Sequence, residues 1–244
     1  MQLTVGSLFS GIGGFDLGLE NAGLKVIWQS EIESHCCAIL KKHWPDIPNL
    51  GDVKKINWST IEHPDVLCGG YPCQPFSVAG LRKGQYDERN LWPYFAEAIR
   101  TIRPKYAIME NVRGHLSLGF KEVLQDLSDI GYDAEWQVIP ASAVGAPQKR
   151  ERLFIVAYPK KLLSNVSNNN LQSSVKPKTF SKPRNSNRKT NEESRPRWKD
   201  EPNVGRVADG IPFRVDRLKG LGNAIVPQVA QLIGERILAS HESQ

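Results

Sequence analysis

Val5-Gly6-Ser7-Leu8-Phe9-Ser10-Gly11-Ile12-Gly13-Gly14-Phe15 decides the fold. Val5 to Phe9 reads as a strand and the glycines as a tight turn. Phe15, Leu17, Leu19 and Ala22 then recur at the spacing of an amphipathic helix. Strand, turn and helix in immediate succession open an α/β sheet whose ligand lies where strand hands over to helix. Leu24 to Gln29 follows as a second strand and Ile32 to His43 as a helix. Further strands are expected at Asp65–Cys68, Tyr106–Met109, Ala134–Ile139 and Leu153–Tyr158. Helices at Leu91–Ile102 and Leu118–Ile130 fall between them, and a last helix covers Ile225–Ala239. This alternation predicts an α/β fold with a Rossmann-like, doubly wound, mostly parallel sheet.

A chain of 244 residues with 40% hydrophobic content can bury one substantial core with a small appendage. No apolar run reaches the roughly 18 residues of a membrane span. The first residues enter a strand pattern with no basic, apolar leader ahead of it, so a cytoplasmic protein with no membrane partner is expected. Cys36, Cys37, Cys68 and Cys73 lack the paired spacing of a zinc ribbon. No metal is expected, Cys36 and Cys37 belong to a helix, and Cys68 ends a buried strand as a small apolar residue.

The net charge of +6 is local: residues 1–159 carry a net −2 and residues 160–206 a net +8. From Leu163 to Pro196 the apolar pattern dissolves into Asn, Ser, Lys, Arg and Pro. The expected organisation is a catalytic and cofactor-binding domain at 1–159, a basic, largely flexible insert at 160–203, and a C-terminal segment at 204–244 that packs back on the first. For the last helix to complete a site there, it must fold beside the glycine turn and bring the two chain ends together. A basic block of this kind suits phosphate backbones through counterion release.

The chemistry is concentrated in Gly69-Gly70-Tyr71-Pro72-Cys73-Gln74-Pro75-Phe76-Ser77. It sets a thiol on a loop just after a strand, with prolines restricting the backbone on both sides and paired glycines opening the main chain to a ligand. Glu110-Asn111-Val112 adds an acid after another strand. Arg150 and Arg152, within Gln148-Lys149-Arg150-Glu151-Arg152, lie two apart and so share one side of an extended segment, able to grip a carbonyl, a phosphate or Glu110 itself. The five histidines form no recognisable pair with Cys73, which argues against a cysteine hydrolase. The first glycine turn is too short for the dinucleotide fingerprint, which argues against a nicotinamide cofactor. Glu31, about twenty residues beyond that turn, stands where such folds accept hydrogen bonds from ribose hydroxyls.

These blocks, in this order from Leu8-Phe9-Ser10-Gly11-Ile12-Gly13-Gly14 to Gly222-Asn223-Ala224-Ile225-Val226-Pro227, resemble the DNA (cytosine-5) methyltransferases over residues 3–158 and 204–238. The resemblance implies the sheet of the S-adenosylmethionine-dependent methyltransferases and S-adenosyl-L-methionine as cofactor. Phe9 would lie against its adenine, with Gly11, Ile12 and Gly14 near the rest. Asp52 would bind the adenine amino group, Leu91 would line the pocket, and Ile32, Val53, Gly70, Pro72 and Asn223 join the cofactor positions. Cys73 becomes the nucleophile that adds to carbon 6 of cytosine, and Glu110 the acid at ring nitrogen 3. Arg150 and Arg152 belong to the same site, and Asn111 and Val112 hold its turn. A duplex cytosine must flip out to reach such a pocket, with Tyr71 and Gln74 as candidates to hold the displaced base or strand.

The resemblance fails at the target-recognition region and at the family block before the last motif, where this chain instead has Gly205-Arg206-Val207-Ala208-Asp209-Gly210-Ile211-Pro212. The family carries a large, variable target-recognition region where this chain has a short basic insert, poor in apolar residues and unable to offset its own ordering entropy. The chain therefore resembles compact phage- or prophage-type members. Short or relaxed sequence preference is expected, with Lys176, Lys178, Lys182, Arg184, Arg188 and Lys189 touching phosphates. Ala224 stands where many members have serine. The expected partner is double-stranded DNA bound by a monomer, with a cognate restriction endonuclease as a further partner. Alternatives are an RNA (tRNA-type) cytosine-5 methyltransferase and a catalytically silent nucleic-acid-binding homologue.

Overall fold

The computed structural model describes residues 2–72, 90–160, 220 and 222–242. Cys73, Gln74 and the basic insert lie outside the described residues. Six strands form one sheet: β1 (Thr4–Leu8), β2 (Lys25–Ser30), β3 (Val66–Gly69), β4 (Tyr106–Val112), β5 (Tyr132–Pro140) and β6 (Glu151–Pro159), in the order β2-β1-β3-β4-β6-β5. The first four in that order run parallel. β6 is antiparallel to both of its neighbours. Residues 141–150 are too few for a crossover helix, so β6 turns straight back along β5 and inserts beside β4.

Side chains alternate between two cores, as period-two strands covered on both faces require. Leu8, Leu67, Ala107, Met109, Leu153 and Ile155 meet Trp92, Phe95 and Ile99 of α3 (Trp92–Ile102) and Phe120, Val123 and Leu127 of α4 (Phe120–Ile130). Val5, Val66, Cys68, Ile108 and Phe154 face the other way. They meet Phe15 and Leu19 of α1 (Gly14–Asn21) and Val229, Ala230, Ile233 and Ile237 of α5 (Pro227–Glu242). α2 (Ser34–His43) follows β2 and carries both Cys36 and Cys37.

Several elements begin later than periodicity suggests, each for a local reason. α2 starts at Ser34 because the Glu31 carboxylate accepts the backbone N–H groups of Ile32 and Glu33, which holds those residues in a turn. α4 starts at Phe120 because Gly119 adopts φ 85°, outside the helical region. α5 starts at Pro227, whose fixed φ suits the first helical turn.

α1 and α5 touch through residues without side chains. A Cβ built on Gly18 would lie 2.3 Å from the Pro227 carbonyl oxygen and 2.6 Å from the Ala230 Cβ. Gly18→Ala is expected to separate the helices and cost about 1–3 kcal/mol. This should be read as a lower denaturant midpoint at unchanged slope, and an unchanged midpoint would contradict the packing.

Candidate active site

The carboxyl ends of β1, β2, β3 and β4 lie side by side. β1 sits between β2 and β3, so the winding direction reverses at β1, and the crevice beside its end is where open α/β sheets bind ligands. The chain leaves β1 through Phe9, at φ 50°, and the glycine turn, with Gly11 at φ 57° and Gly13 at φ 85°. The Ser10 backbone N–H donates to the Ser30 carbonyl at 3.1 Å, and the Ser10 hydroxyl donates to the Ser7 carbonyl at 3.0 Å. A Cβ on Gly11 would meet nothing closer than the Phe9 carbonyl at 4.0 Å, so the bare side of the turn faces open space.

Glu31 closes this turn from the end of β2. One carboxylate oxygen accepts the Gly11 N–H at 2.8 Å, and the other accepts those of Ile32 and Glu33, each at 2.8 Å. The acid expected to meet a ribose thus also binds the β1 turn to the β2 turn. Beside it, Ile32 is 65% exposed. Asn49 ties in a third loop. Its side-chain oxygen accepts the N–H groups of Glu31 and Gly51, and its amide donates to the Glu31 carbonyl at 3.1 Å. Asp52 accepts the Lys54 N–H at 3.1 Å and so caps the 3-10 turn Val53–Lys55, burying Val53 in the core against which Phe9 and Leu91 also pack. Phe9 and Phe95 are 6.3 Å apart between ring centroids.

Phe9, Gly11, Glu31 and Ile32 thus form a rim at the ends of β1 and β2, joined through Asn49 to the Gly51-Asp52-Val53 turn, and Leu91 packs on the same core as Phe9 and Val53. Gly14 turns elsewhere: a Cβ there would lie 2.5 Å from the Ile225 carbonyl oxygen, so its bare face meets the segment leading into α5. Ile12 lies toward Gly220, whose Cβ would approach the Ile12 methyl to 3.3 Å, and Pro72 and Asn223 are exposed.

Glu110 stands near the carboxyl end of β4, opposite Phe154 and diagonal to Arg152 across the antiparallel pair. Its Oε1 forms an ion pair with Arg152, 3.0 Å from Nε. A Cβ on Gly70 would lie 2.9 Å from Glu110 Oε2, so the carboxyl group packs directly against the bare glycine and would have to shift for any larger residue. Burial raises its pKa to about 7, against the opposing charges of Arg152 and Arg150. The two arginines differ in their direct partners. Arg150 takes φ 26°, and its Nη2 donates to the carbonyls of Gly222 and Ala224, each at 2.7 Å. Glu151 between them pairs outward with Arg113 and Lys149.

Tyr71 departs from its expected place beside a displaced base. It is 4% exposed, packs on Trp92 and Phe95, and shares a 2.8 Å hydrogen bond between its hydroxyl and His115 Nε2. Three large rings claim the side chain, so it anchors the exit of β3 from inside the core. Asn111 strengthens that anchor. Its amide donates to the Tyr71 carbonyl at 3.3 Å and its oxygen accepts the Val112 N–H at 2.8 Å, tying the exit of β3 to the end of β4.

The sequence reading also missed Asp16. The residue is fully buried on α1, where its carboxylate accepts from the Ser7 hydroxyl at 3.0 Å and the Gln29 amide at 2.7 Å. Burial raises its pKa to about 6. The available signal was an acid between Phe15 and Leu19 on a helical face that has to be buried.

A sequence profile of the C-5 cytosine-specific DNA methylase family matches residues 3–204. The chain belongs to that family. Among its relatives, the Type II methyltransferase M.AplI of Arthrospira platensis is 42% identical over 160 residues, covering 64% of this chain and 46% of the relative. M.Eco47II of Escherichia coli is 44% identical over 162 residues, covering 63% and 39%. The chain thus spans less than half the length of these two methylases. A prophage-encoded Escherichia coli protein described as a DNA modification methyltransferase superposes with a TM-score of 0.57 at 29% identity, over 68% of this chain and 49% of that one. A DNMT2 variant of Spodoptera frugiperda gives the same TM-score at 23% identity over 75% and 57%, which speaks for the shared methylase fold alone. Among the described residues no helix is long and apolar enough to cross a membrane.

Proposed function

We propose that this chain transfers a methyl group from S-adenosyl-L-methionine to carbon 5 of a cytosine flipped out of duplex DNA. The observation that carries the reading is Glu110: a buried carboxyl whose pKa stands near 7, paired with Arg152 and fitted against Gly70, three residues before Cys73. Cytosine is a poor carbon nucleophile until a thiolate adds at carbon 6. Cys73 supplies that thiolate, and Glu110 hydrogen-bonds ring nitrogen 3 so that negative charge does not build up on the ring. Carbon 5 is then enamine-like and attacks the methyl carbon, whose bond to the sulfonium sulfur breaks to leave S-adenosylhomocysteine. Loss of the carbon-5 proton to water and elimination of the Cys73 sulfur restore the aromatic ring and the free cysteine.

Seven of the cofactor's expected residues belong to the rim described above and to the turn and core joined to it, and the others flank it. Phe9, Gly11, Ile12 and Gly14 form or flank the β1 turn, Glu31 and Ile32 the β2 turn, and Asp52, Val53 and Leu91 the adjoining wall, with Gly70, Pro72 and Asn223 completing the set. The open space beside Gly11 and the exposed Ile32 side chain suit a flat, partly apolar group such as an adenine. When bound there, S-adenosylmethionine supplies an electrophilic methyl group. The net +8 of residues 160–206 supports phosphate contacts around the flipped base. The description of the relatives as Type II methyltransferases supports a companion restriction endonuclease as partner.

The test is transfer of labelled methyl groups from S-adenosylmethionine to unmethylated duplex DNA and, in parallel, to RNA. Labelled DNA with 5-methylcytosine in a defined sequence context is expected. Label in RNA alone would move the substrate to RNA, and cofactor binding without any transfer would make the chain a silent nucleic-acid-binding homologue.

A further inference from the structure

We infer that Arg150 is a positioning residue that clamps the C-terminal segment across the ends of β1 and β3, forming one wall of the cofactor site and leaving Arg152 as the arginine that serves Glu110. The inference rests on the proposed reading of this face as the methyl-transfer site. The Arg150 backbone is held from behind, because the N–H of Ala141, itself 1% exposed, donates to the carbonyls of both Lys149 and Arg150 at 2.9 and 3.2 Å. The φ of 26° at Arg150 takes the chain out of the extended conformation that would set it beside Arg152, a strained arrangement for a residue with a side chain. The guanidinium group is thereby turned to the far segment.

Two carbonyls two residues apart, Gly222 and Ala224, receive the same Nη2 at 2.7 Å each. The planar guanidinium fixes the direction of the two N–H groups on this one nitrogen, whereas the ammonium of a lysine, on a flexible stem, leaves its N–H groups free to rotate. Ile225 follows directly. Its backbone oxygen and nitrogen fill the space that a Gly14 Cβ would need, at 2.5 and 3.1 Å, and its Cδ1 would lie 3.7 Å from a Gly70 Cβ. The clamp thus holds one residue against both glycine-bearing turns of the site, and the packing of α5 on α1 continues from it. Arg150 still acts on Glu110 through its charge, which favours the ionised carboxylate, while the ion pair itself is made by Arg152.

Charge and clamp separate in three variants. Arg150→Gln removes both, Arg150→Lys keeps the charge but loses the rigidly directed pair of N–H donors, and Arg152→Gln removes the pair with Glu110. The full chain is followed by amide hydrogen exchange of residues 222–230 and by steady-state methyl transfer. Both Arg150 variants are expected to speed exchange in that segment about 10-fold and to raise the KM for S-adenosylmethionine about 10-fold, the loss falling on KM rather than kcat. Arg150→Lys is expected to keep the unaltered pH profile. Arg152→Gln is expected to lower kcat with exchange of 222–230 unchanged. Unaltered exchange in both Arg150 variants, or a loss confined to kcat, would overturn the clamp and make Arg150 a direct substrate contact. The exchange result stands without any turnover, so an unaltered protein that transfers no methyl group would defeat the proposed function while the exchange arm still decides the clamp.

Discussion

Glu110→Gln is expected to lower methyl transfer by roughly 10²–10⁴-fold, the range that a positioned acid supplies. Glutamine keeps the size of the side chain and an N–H donor, so what disappears is the carboxyl proton. The pH dependence follows from the direction of the shift. Burial lifts the Glu110 pKa from 4.5 to about 7, so the protonated carboxyl persists at neutral pH and is lost as pH rises through about 7. The rate of the unaltered protein should therefore fall on the alkaline side of about 7, and the residual rate of Glu110→Gln should not show that limb. The same shift has a stability consequence of fixed sign. A carboxyl whose folded pKa is raised binds its proton more tightly in the folded state, so its contribution is full below 4.5 and is lost as pH rises to about 7. Thermal melts across that window should show a shallower decline for Glu110→Gln. A kinetic loss with the alkaline limb still present would assign the titration to another group.

Cys73→Ser is the second large effect. A serine hydroxyl is far less acidic and less nucleophilic than a thiol, so addition at carbon 6 should stop and transfer should fall by at least about 10³-fold. S-adenosylmethionine binding should stay within a few-fold of the unaltered protein, because most of the proposed cofactor residues belong to the ends of β1 and β2, the Asp52 turn and Leu91, outside the cysteine loop, which adds only Gly70 and Pro72. Equilibrium binding measured beside single-turnover transfer separates the two effects. A serine variant that still methylates would remove the covalent step from the mechanism.

The fold was legible where chemistry is local. Val5–Leu8 alternates between two cores, and Phe15 with Leu19 fits a helical stripe, so periods of two and 3.6 give both elements without distant information. The antiparallel return of β6 was written only in the shortness of residues 141–150, a signal that a search for alternating strands and helices passes over. In the site, Glu110 and Arg152 were legible as an acid and a base on neighbouring strand-like runs, and the structure brings them to 3.0 Å. What sequence did not give is the partner of a side chain that reaches far along the chain. Arg150 finds carbonyls more than seventy residues on, Tyr71 finds His115, and Asn49 joins the Glu31 and Gly51 turns. Asp16 shows the other limit, since helical periodicity gives the face it occupies while its partners Ser7 and Gln29 belong to two different strands.

The central claim is a covalent bond between Cys73 and carbon 6 of cytosine, and duplex DNA carrying 5-fluorocytosine tests it most directly. After addition and methyl transfer, carbon 5 of that base holds fluorine where a proton would have to leave, so the thiol cannot be eliminated and the adduct persists. Incubation with S-adenosylmethionine is expected to give a chain–DNA complex that survives denaturation, with the base attached to the peptide bearing Cys73 and no complex from Cys73→Ser. Methylation of ordinary cytosine without any trapped complex, or a complex through another residue, would contradict the account.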